Sequence, residues 1–556
     1  MSWKIVDAYR KRLAAEEWLI PRKHAGRLSV CLIYPERYHV AMSSLGFTSV
    51  HALFNGMPDL VCERAFLPEK EELAEYRTSR TPLLSLESQR PVADFDLIAF
   101  SVSFEADYAN IPEILRLAGL PCFAAERGAG LPLVMAGGAA LFLNPEPVAD
   151  LLDLVCLGEG EAVLPALVEY LQHSGNNRQE MLRGAADLPG VYIPSRYRVS
   201  YDGARLISRE AEAGAPERVE RCWVTALQQT TTTSTILTPD TEFGDLFLVE
   251  LSRGCPRGCR FCAAGFIYHP YRQRSTDGVT AAAVDGLAAR RKIGLLGAAV
   301  SDFKGVGSLS RTILDAGGGI SVSSLRIDGL DDEMIEALKE SGHKTVALAP
   351  EGPSQRLRDL VRKGISEEQI LAAAERLIAH DMLNLKLYFI IGLPTETEAD
   401  LEEMLSLVGR LRERVLAVAR TKGRLGEIVL SVNPFIPKPF TPFQWCGMEP
   451  LPSLERKVRL LQKGCGRLAN VRLQVEPLKE AWRQALLSRG DRRLAQVLVR
   501  VAESGWRRAL REAGYPAEEI VTRNIPRAEL LPWGFIAGGR EDLLAEEYNK
   551  AFMDLV

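Results

Sequence analysis

Apolar residues recur along this chain with two different periods, and each period predicts a different element. Trp3, Ile5, Val6, Tyr9, Leu13, Trp18 and Leu19 share one side of a helix, which predicts an amphipathic packing arm over 3–19 that stops before Pro21. From Leu28 short continuous apolar runs take over. Residues 28–34, 97–102, 132–136 and 154–157 read as buried strands, the last followed by Gly158-Glu159-Gly160-Glu161 and a helix to Leu171. This alternation predicts a doubly wound, Rossmann-like parallel sheet over 28–190, after an arm over 1–27. The turns at Gly137-Gly138 and at 158–161 then lie at the carboxyl edge, where such sheets take ligands. Residues 191–240 read as a hairpin turning at Asp202-Gly203 and a polar linker from Gln228 to Thr235.

A second alternation fills 241–450, with strands predicted at 247–251, 294–300, 320–325, 345–349, 385–391 and 428–432. Six parallel strands with outer helices predict a partial (β/α)6 TIM barrel with its reactive groups at the strand carboxyl ends. Ser366 and Gln369 form a capping box ahead of Ile370, Ala374, Leu377 and Ile378, and Asp331, Asp332 and Glu333 open another helix. The proline-rich stretch from Asn433 to Trp445 reads as a stiff loop that either covers the barrel or lines its opening. Residues 451–556 are helical in pattern. Arg483, Arg489, Arg492 and Arg493 read there as a solvated helix face, with contact to phosphate or RNA as the less favoured alternative.

Composition narrows the class. An apolar fraction of 47% and a charged fraction of 25% over 556 residues are those of a soluble protein of about three domains. A net charge of -4 disfavours a broad nucleic-acid surface, so nucleic acid remains a possible partner but not the favoured one. No apolar run is long enough for a bilayer and 1–12 lacks the apolar core of a secretory signal, so the expectation is a cytoplasmic protein with no membrane partner. Ten cysteines in so long a chain do not make a disulfide framework.

Three of those cysteines carry the chemistry. Arg253-Gly254-Cys255-Pro256-Arg257-Gly258-Cys259-Arg260-Phe261-Cys262 follows the first predicted barrel strand and offers three thiols where a cubane cluster takes four, leaving one iron open. Its arginines bring positive charge beside an anionic assembly. The alternative is a zinc knuckle with a fourth ligand such as His269.

Cys255-x-x-x-Cys259-x-Phe261-Cys262 resembles the cluster motif of the radical S-adenosylmethionine (SAM) superfamily. The resemblance implies a 4Fe-4S cluster on Cys255, Cys259 and Cys262, with SAM on the open iron and Phe261 against the adenine. Reductive cleavage to a 5′-deoxyadenosyl radical would follow, driven by an electron donor such as flavodoxin or ferredoxin. Gly297 and Ala298 stand where the family often has Gly-Gly-Glu for the methionine amino group; the glutamate is missing here. Ser323 and Arg326 end the third strand and Glu351 the fourth. The resemblance implies Glu351 at the ribose hydroxyls and Arg326 at the methionine carboxylate or ordering Glu351; the alternative is a structural ion pair. Gly392 would give close backbone approach to the adenine.

The first half resembles the amino-terminal domain of cobalamin-binding radical SAM proteins, where a Gly-Glu-Gly-Glu turn is common. No Asp-x-His-x-x-Gly is present, so a bound cobalamin would lack a histidine lower ligand, and His39 reads as a loop or surface residue. The leading expectation is a radical SAM enzyme acting on an unknown substrate, with cobalamin-dependent methyl transfer as its finer form. A tRNA methylthiotransferase, with a second cluster on Cys31, Cys62, Cys122 and Cys156, and a noncatalytic iron-sulfur or zinc module are the alternatives.

Overall fold

The computed structural model describes residues 1–175, 177–322, 326–330, 332–423, 425–538 and 540–553, the side chains of 421 and 422 apart. The first sheet contains β1 (Leu28–Tyr34), β2 (Leu60–Phe66), β3 (Leu97–Ser101), β4 (Leu133–Gly137), β5 (Leu154–Cys156) and β6 (Val191–Tyr192), in the order β2-β1-β3-β4-β5-β6. The first five are parallel, and β6 runs antiparallel to β5. Val30, Leu32, Ile33, Leu97, Ile98 and Val134 are buried, as a parallel sheet covered on both faces requires. The order reverses between β1 and β3, which opens a crevice at their carboxyl ends.

Strand β2 escapes the apolar pattern because Glu63 and Arg64 interrupt it. Arg64 is fully buried and is tolerated there because Glu16 and Glu87 each meet it at 2.7 Å. The same contact shortens the arm. The helix is Trp3–Ala14, not 3–19, and Glu17–Trp18 is a strand antiparallel to Ile236–Leu237. The polar run before that strand is not a loose linker either. Thr233 bridges to Val249, and Arg274 donates to Thr230 and Thr232, which lays the run along the first barrel strand.

The barrel strands are β7 (Leu246–Glu250), β8 (Lys292–Leu296), β9 (Gly319–Val322), β10 (Thr345–Glu351), β11 (Asn384–Ile391), β12 (Ile428–Pro434) and β13 (Val471–Val475). They form two parallel sheets, β7-β8-β9 and β10-β11-β12-β13, in chain order. The expected six are present. The seventh comes from the region read as wholly helical, where Val471, Leu473 and Val475 alternate with polar residues in a run too short to stand out between helices. The capping box at Ser366 forms, and Ile370, Ala374, Leu377 and Ile378 are buried behind it. Asp332 and Glu333 open the helix Asp332–Glu340, while Asp331 lies outside the described residues.

The protein is therefore α/β: a Rossmann-like sheet, then a partial barrel, then a mainly helical region. The proline-rich loop joins the first two. Lys438 reaches Glu105 of the first domain at 2.6 Å, and the Phe443 amide donates to the Arg260 carbonyl of the cysteine loop at 3.2 Å. Phe435, Phe443 and Trp445 are buried, so this loop covers the barrel.

Candidate active site

The cysteine loop leaves β7 through Ser252 and turns at Gly254, whose φ of +83° and close approach to the Tyr268 carbonyl leave no room for a Cβ. Its three arginines tether it in three directions. Arg253 reaches the first domain, Arg257 meets Asp302 at 3.2 Å and Asp328 at 3.4 Å, and buried Arg260 donates to the Leu360 carbonyl at 2.8 Å and to Glu547 at 3.2 Å. Cys259 is buried, and Cys255 and Cys262 are half-buried. Burial pushes the Cys262 thiol up to about 11, with Cys259 and Cys255 adding to the rise; burial and Cys259 also raise Cys255. The thiolate forms of Cys255 and Cys262 are thus disfavoured, a cost that bound iron relieves.

Among the described residues no three Cys, His, Asp or Glu side chains gather as ligands of a single ion. A zinc knuckle needs donors that converge on one metal, and His269 shares a cavity with Cys255, whereas in a cubane each thiolate caps its own iron.

The strand ends converge on this loop with partners that differ from expectation. Arg326 meets Asp328 at 2.8 Å rather than Glu351, and Glu351 accepts from Lys363 at 3.3 Å. Lys363 is the missed link, since its carbonyl also accepts from Arg326 at 3.4 Å. Arg326 and Glu351 each lie within electrostatic reach of a cysteine of this loop, Cys255 and Cys262 respectively. Glu351 has a left-handed φ of +64°, an uncommon conformation for a residue with a side chain and one that recurs at functional sites. Gly392 turns at φ +74°, its amide bonded to Glu396 at 2.8 Å. Phe261 packs toward Leu357, Leu360, Ile390, Phe435 and Phe443. Ser323 lies outside the described residues.

A cavity of about 430 Å³ separates the first sheet's carboxyl edge from the barrel. Ser101, Ser103, Gly138 and Ala139 line it from the first sheet, Leu45, Val50 and Leu53 from the helix Leu45–Gly56, and Ser252, Leu296, Gly297 and Ala298 from the barrel. The Ser49 hydroxyl is buried without a hydrogen-bond partner among the described residues, and Ser49 and Ser252 both line the cavity.

One wall is an ion-pair network that sequence reasoning missed. Arg253 donates to Glu159 at 3.0 Å, to Glu161 at 2.6 Å and to Glu250 at 3.1 Å. Arg272 holds Glu159 at 2.6 Å, and Arg274 holds Glu250 at 3.1 Å. Burial alone would lower Arg253, but Glu250 and Glu161 outweigh it and hold the guanidinium above its ordinary value. The Gly-Glu-Gly-Glu turn is thus more than a strand-to-helix connection: its carboxylates clamp the residue two before Cys255. The sequence signal was a pair of carboxylates at a sheet's carboxyl edge, but nothing local names a counterion more than ninety residues away.

Among the described residues no histidine lines this cavity. His39 lies between Asp240 and Glu242 at 3.1 Å each, and burial lowers His51 to about 3. Of the four carboxyl-terminal arginines, Arg483 stays at the surface beside Glu480, but the other three are held by the protein. Arg492 is buried against Glu146 and Tyr192, Arg489 donates to the carbonyls of Ile520, Cys446 and Arg523, and Arg493 pairs with Asp491 at 2.6 Å. Cys446 and Cys465 are buried thiols, as expected.

Comparison with known proteins decides the family. Residues 46–194 match the model of "Radical SAM proteins, N-terminal", and residues 249–408 match that of the radical SAM superfamily. An uncharacterized protein of Methanocaldococcus jannaschii is 30% identical over 477 residues, which is 84% of this chain and 90% of that protein. The chain belongs to the radical SAM superfamily.

Two further relatives are from Methylococcus capsulatus. A tRNA-2-methylthio-N(6)-dimethylallyladenosine synthase is 28% identical over 30% of this chain and 40% of its own length, and a hopanoid C-3 methylase is 29% identical over 35% and 32%. The chain therefore spans less than half of either. The structure of the cobalamin-dependent radical SAM enzyme OxsB with aqua-cobalamin bound aligns at a TM-score of 0.46 and 17% identity, covering 68% of this chain and 52% of that one. Radical SAM membership implies a 4Fe-4S cluster, SAM and an electron donor. Among the described residues no helix is long and apolar enough to cross a membrane.

Proposed function

We propose that this radical SAM protein cleaves SAM at the cysteine loop and turns the 5′-deoxyadenosyl radical on a substrate held between the first sheet and the barrel. One observation carries the reading: a single loop serves both places. Its cysteines face the strand ends bearing Arg326 and Glu351, and its first residues, Ser252, Arg253 and Gly254, line the cavity. Cys255, Cys259 and Cys262 would hold the cluster, with Gly297 and Ala298 beside the methionine end of SAM, Arg326 at its carboxylate, Glu351 at the ribose hydroxyls, and Gly392 and Phe261 toward the adenine. When bound, the cluster supplies the electron that splits the sulfonium. The Arg253 network closes the polar wall and limits water where a radical must not be quenched.

The finer reading is methyl transfer assisted by a corrinoid. In its support, the first sheet's carboxyl edge opens into the cavity through the small residues Ser101, Ser103, Gly138 and Ala139. With no imidazole on the lining, such a corrinoid would have no histidine below its cobalt. The cavity volume sits toward the lower end of the small-molecule range, so a corrinoid would require the first domain and the barrel to part.

Methylthiolation receives no comparable support. Cys31, Cys62, Cys122 and Cys156 are buried, and burial pushes all four thiols up, Cys156 to about 12. We therefore expect about four irons per chain, not eight. The test is anaerobic reconstitution with iron, sulfide and hydroxocobalamin, followed by metal counts and chemical reduction in the presence of SAM. The expected products are 5′-deoxyadenosine and methionine. Absence of both at full iron loading overturns the reading, and absence of cobalt removes only its corrinoid form.

A further inference from the structure

Cys255 opens into a second cavity, of about 310 Å³, which shares no lining residue with the first. We propose that the mouth of this cavity is the docking surface for an acidic one-electron carrier protein, an inference that rests on the radical SAM reading above. Arg257, His269, Arg362 and Arg540 stand around it, with Pro256 and Leu543 as apolar contact. The charges face solvent: the side chains of Arg257 and Arg362 are 39% and 56% exposed. Arg362 lies across Gly258, its Nη1 3.0 Å from where a Cβ would stand, so the cation sits directly over the cysteine loop.

The carboxylates nearby do not cancel this charge. Asp302 and Asp328 face Arg257, but Asp328 also serves Arg326. Glu547 alone is shared among Arg260, Arg362 and Lys550. Arg540 has no ion-pair or hydrogen-bond partner for its side chain among the described residues. A chain of net charge -4 thus turns a cationic rim to solvent where a cluster ligand can be approached from outside. A cationic rim around a small apolar centre suits an acidic partner, whose encounter is steered by charge and weakened by salt. The step is one electron from the reduced carrier to the cluster. The carrier is oxidised by one electron, the cluster is reduced by one, and no bond or proton moves until SAM is cleaved.

The probe is an acidic flavodoxin titrated into the iron-loaded protein by calorimetry at low and high salt. We expect salt-sensitive binding to the unsubstituted protein and a dissociation constant raised about tenfold or more in the double variant Arg362→Glu, Arg540→Glu. Arg362→Lys, Arg540→Lys should bind as the parent does. Iron content, and SAM cleavage driven by titanium(III) citrate, should be the same in all three. No binding to the parent, or equal binding to the charge-reversed variant, overturns the proposal. Failure of the titanium-driven cleavage in the parent would instead sink the radical reading, and the binding result would stand by itself.

Discussion

Arginines stand at both cavities that the cysteine loop borders, Arg253 on the wall of the first and Arg257, Arg362 and Arg540 around the second, yet they are arranged in opposite ways. On the wall between the sheets Arg253 answers three carboxylates, and Arg272 and Arg274 hold two of these from behind. At the second cavity Arg257 and Arg362 are substantially exposed, and the Arg540 side chain has no ion-pair partner among the described residues. The difference follows from solvent. A guanidinium withdrawn from water must be fully paired or it destabilises the fold, whereas one left in water can stay unpaired and available to a partner. The inner wall is therefore built to hold a shape, and the outer rim to meet something charged.

The largest expected effect comes from removing what lies between the two. Replacing Cys255, Cys259 and Cys262 together by alanine should drop iron from about four per chain to background and abolish 5′-deoxyadenosine formation, while far-ultraviolet circular dichroism stays unchanged. Iron retained at the parental level would place the cluster elsewhere.

The candidate cysteines stood out in the sequence because the spacing of three thiols on one loop is a local property. So did β1, β3, β4 and β5, whose apolar runs are continuous, and the Ser366 cap, a contact across three residues. The failures share a cause: they involve charges whose partners lie far along the chain. Arg64 hid β2 because Glu16 and Glu87 are not its sequence neighbours. Arg489 and Arg492 looked solvated because Glu146 and the carbonyls they bond lie tens to hundreds of residues away. Arg326 and Glu351 were matched by sign alone, and Lys363, which joins them, comes from a turn that no motif marked.

Arg253→Met tests the inner wall directly. It strands Glu161 without its guanidinium and leaves Glu159 and Glu250 with one arginine each, so unfolding by denaturant should show a loss of ~3–5 kcal/mol. Arg362→Ala, on the exposed rim, should change stability by less than about 0.5 kcal/mol. Equal effects from the two would erase the contrast drawn above.

Asp107, at the carboxyl edge of the first sheet, is a buried charge that the inner rule would forbid. It is 7% exposed, its Oδ2 has no hydrogen-bond partner, and burial with Glu36 nearby raises its carboxyl to about 7. The folded state then binds the proton more tightly than the unfolded state. Stability that is full below about pH 4 should decline as pH rises toward 7. Asp107→Asn should remove that slope and be the more stable form above pH 7, by ~2–4 kcal/mol. A parent and variant with parallel pH profiles would mean that the carboxyl is already charged and solvated.

The smallest effect belongs to His39, which joins the first domain to the segment before β7. Hydrogen bonds to Glu242 and Asp240 raise its imidazole above the ordinary histidine value, so the folded state favours the cation. The contact is therefore fully stabilising below about pH 6.5 and is lost as pH rises through the raised value. The ring is 40% exposed and both acceptors more so, which screens the pair to a few tenths of a kcal/mol. Urea midpoints of the parent should fall slightly between about pH 6 and about pH 8, and His39→Gln should flatten that component while leaving the larger Asp107 slope in place. If the Gln variant lost as much as Arg253→Met, this exposed contact would be anchoring the first domain, and the division into a fully paired interior and an incompletely paired exterior would fail at that junction.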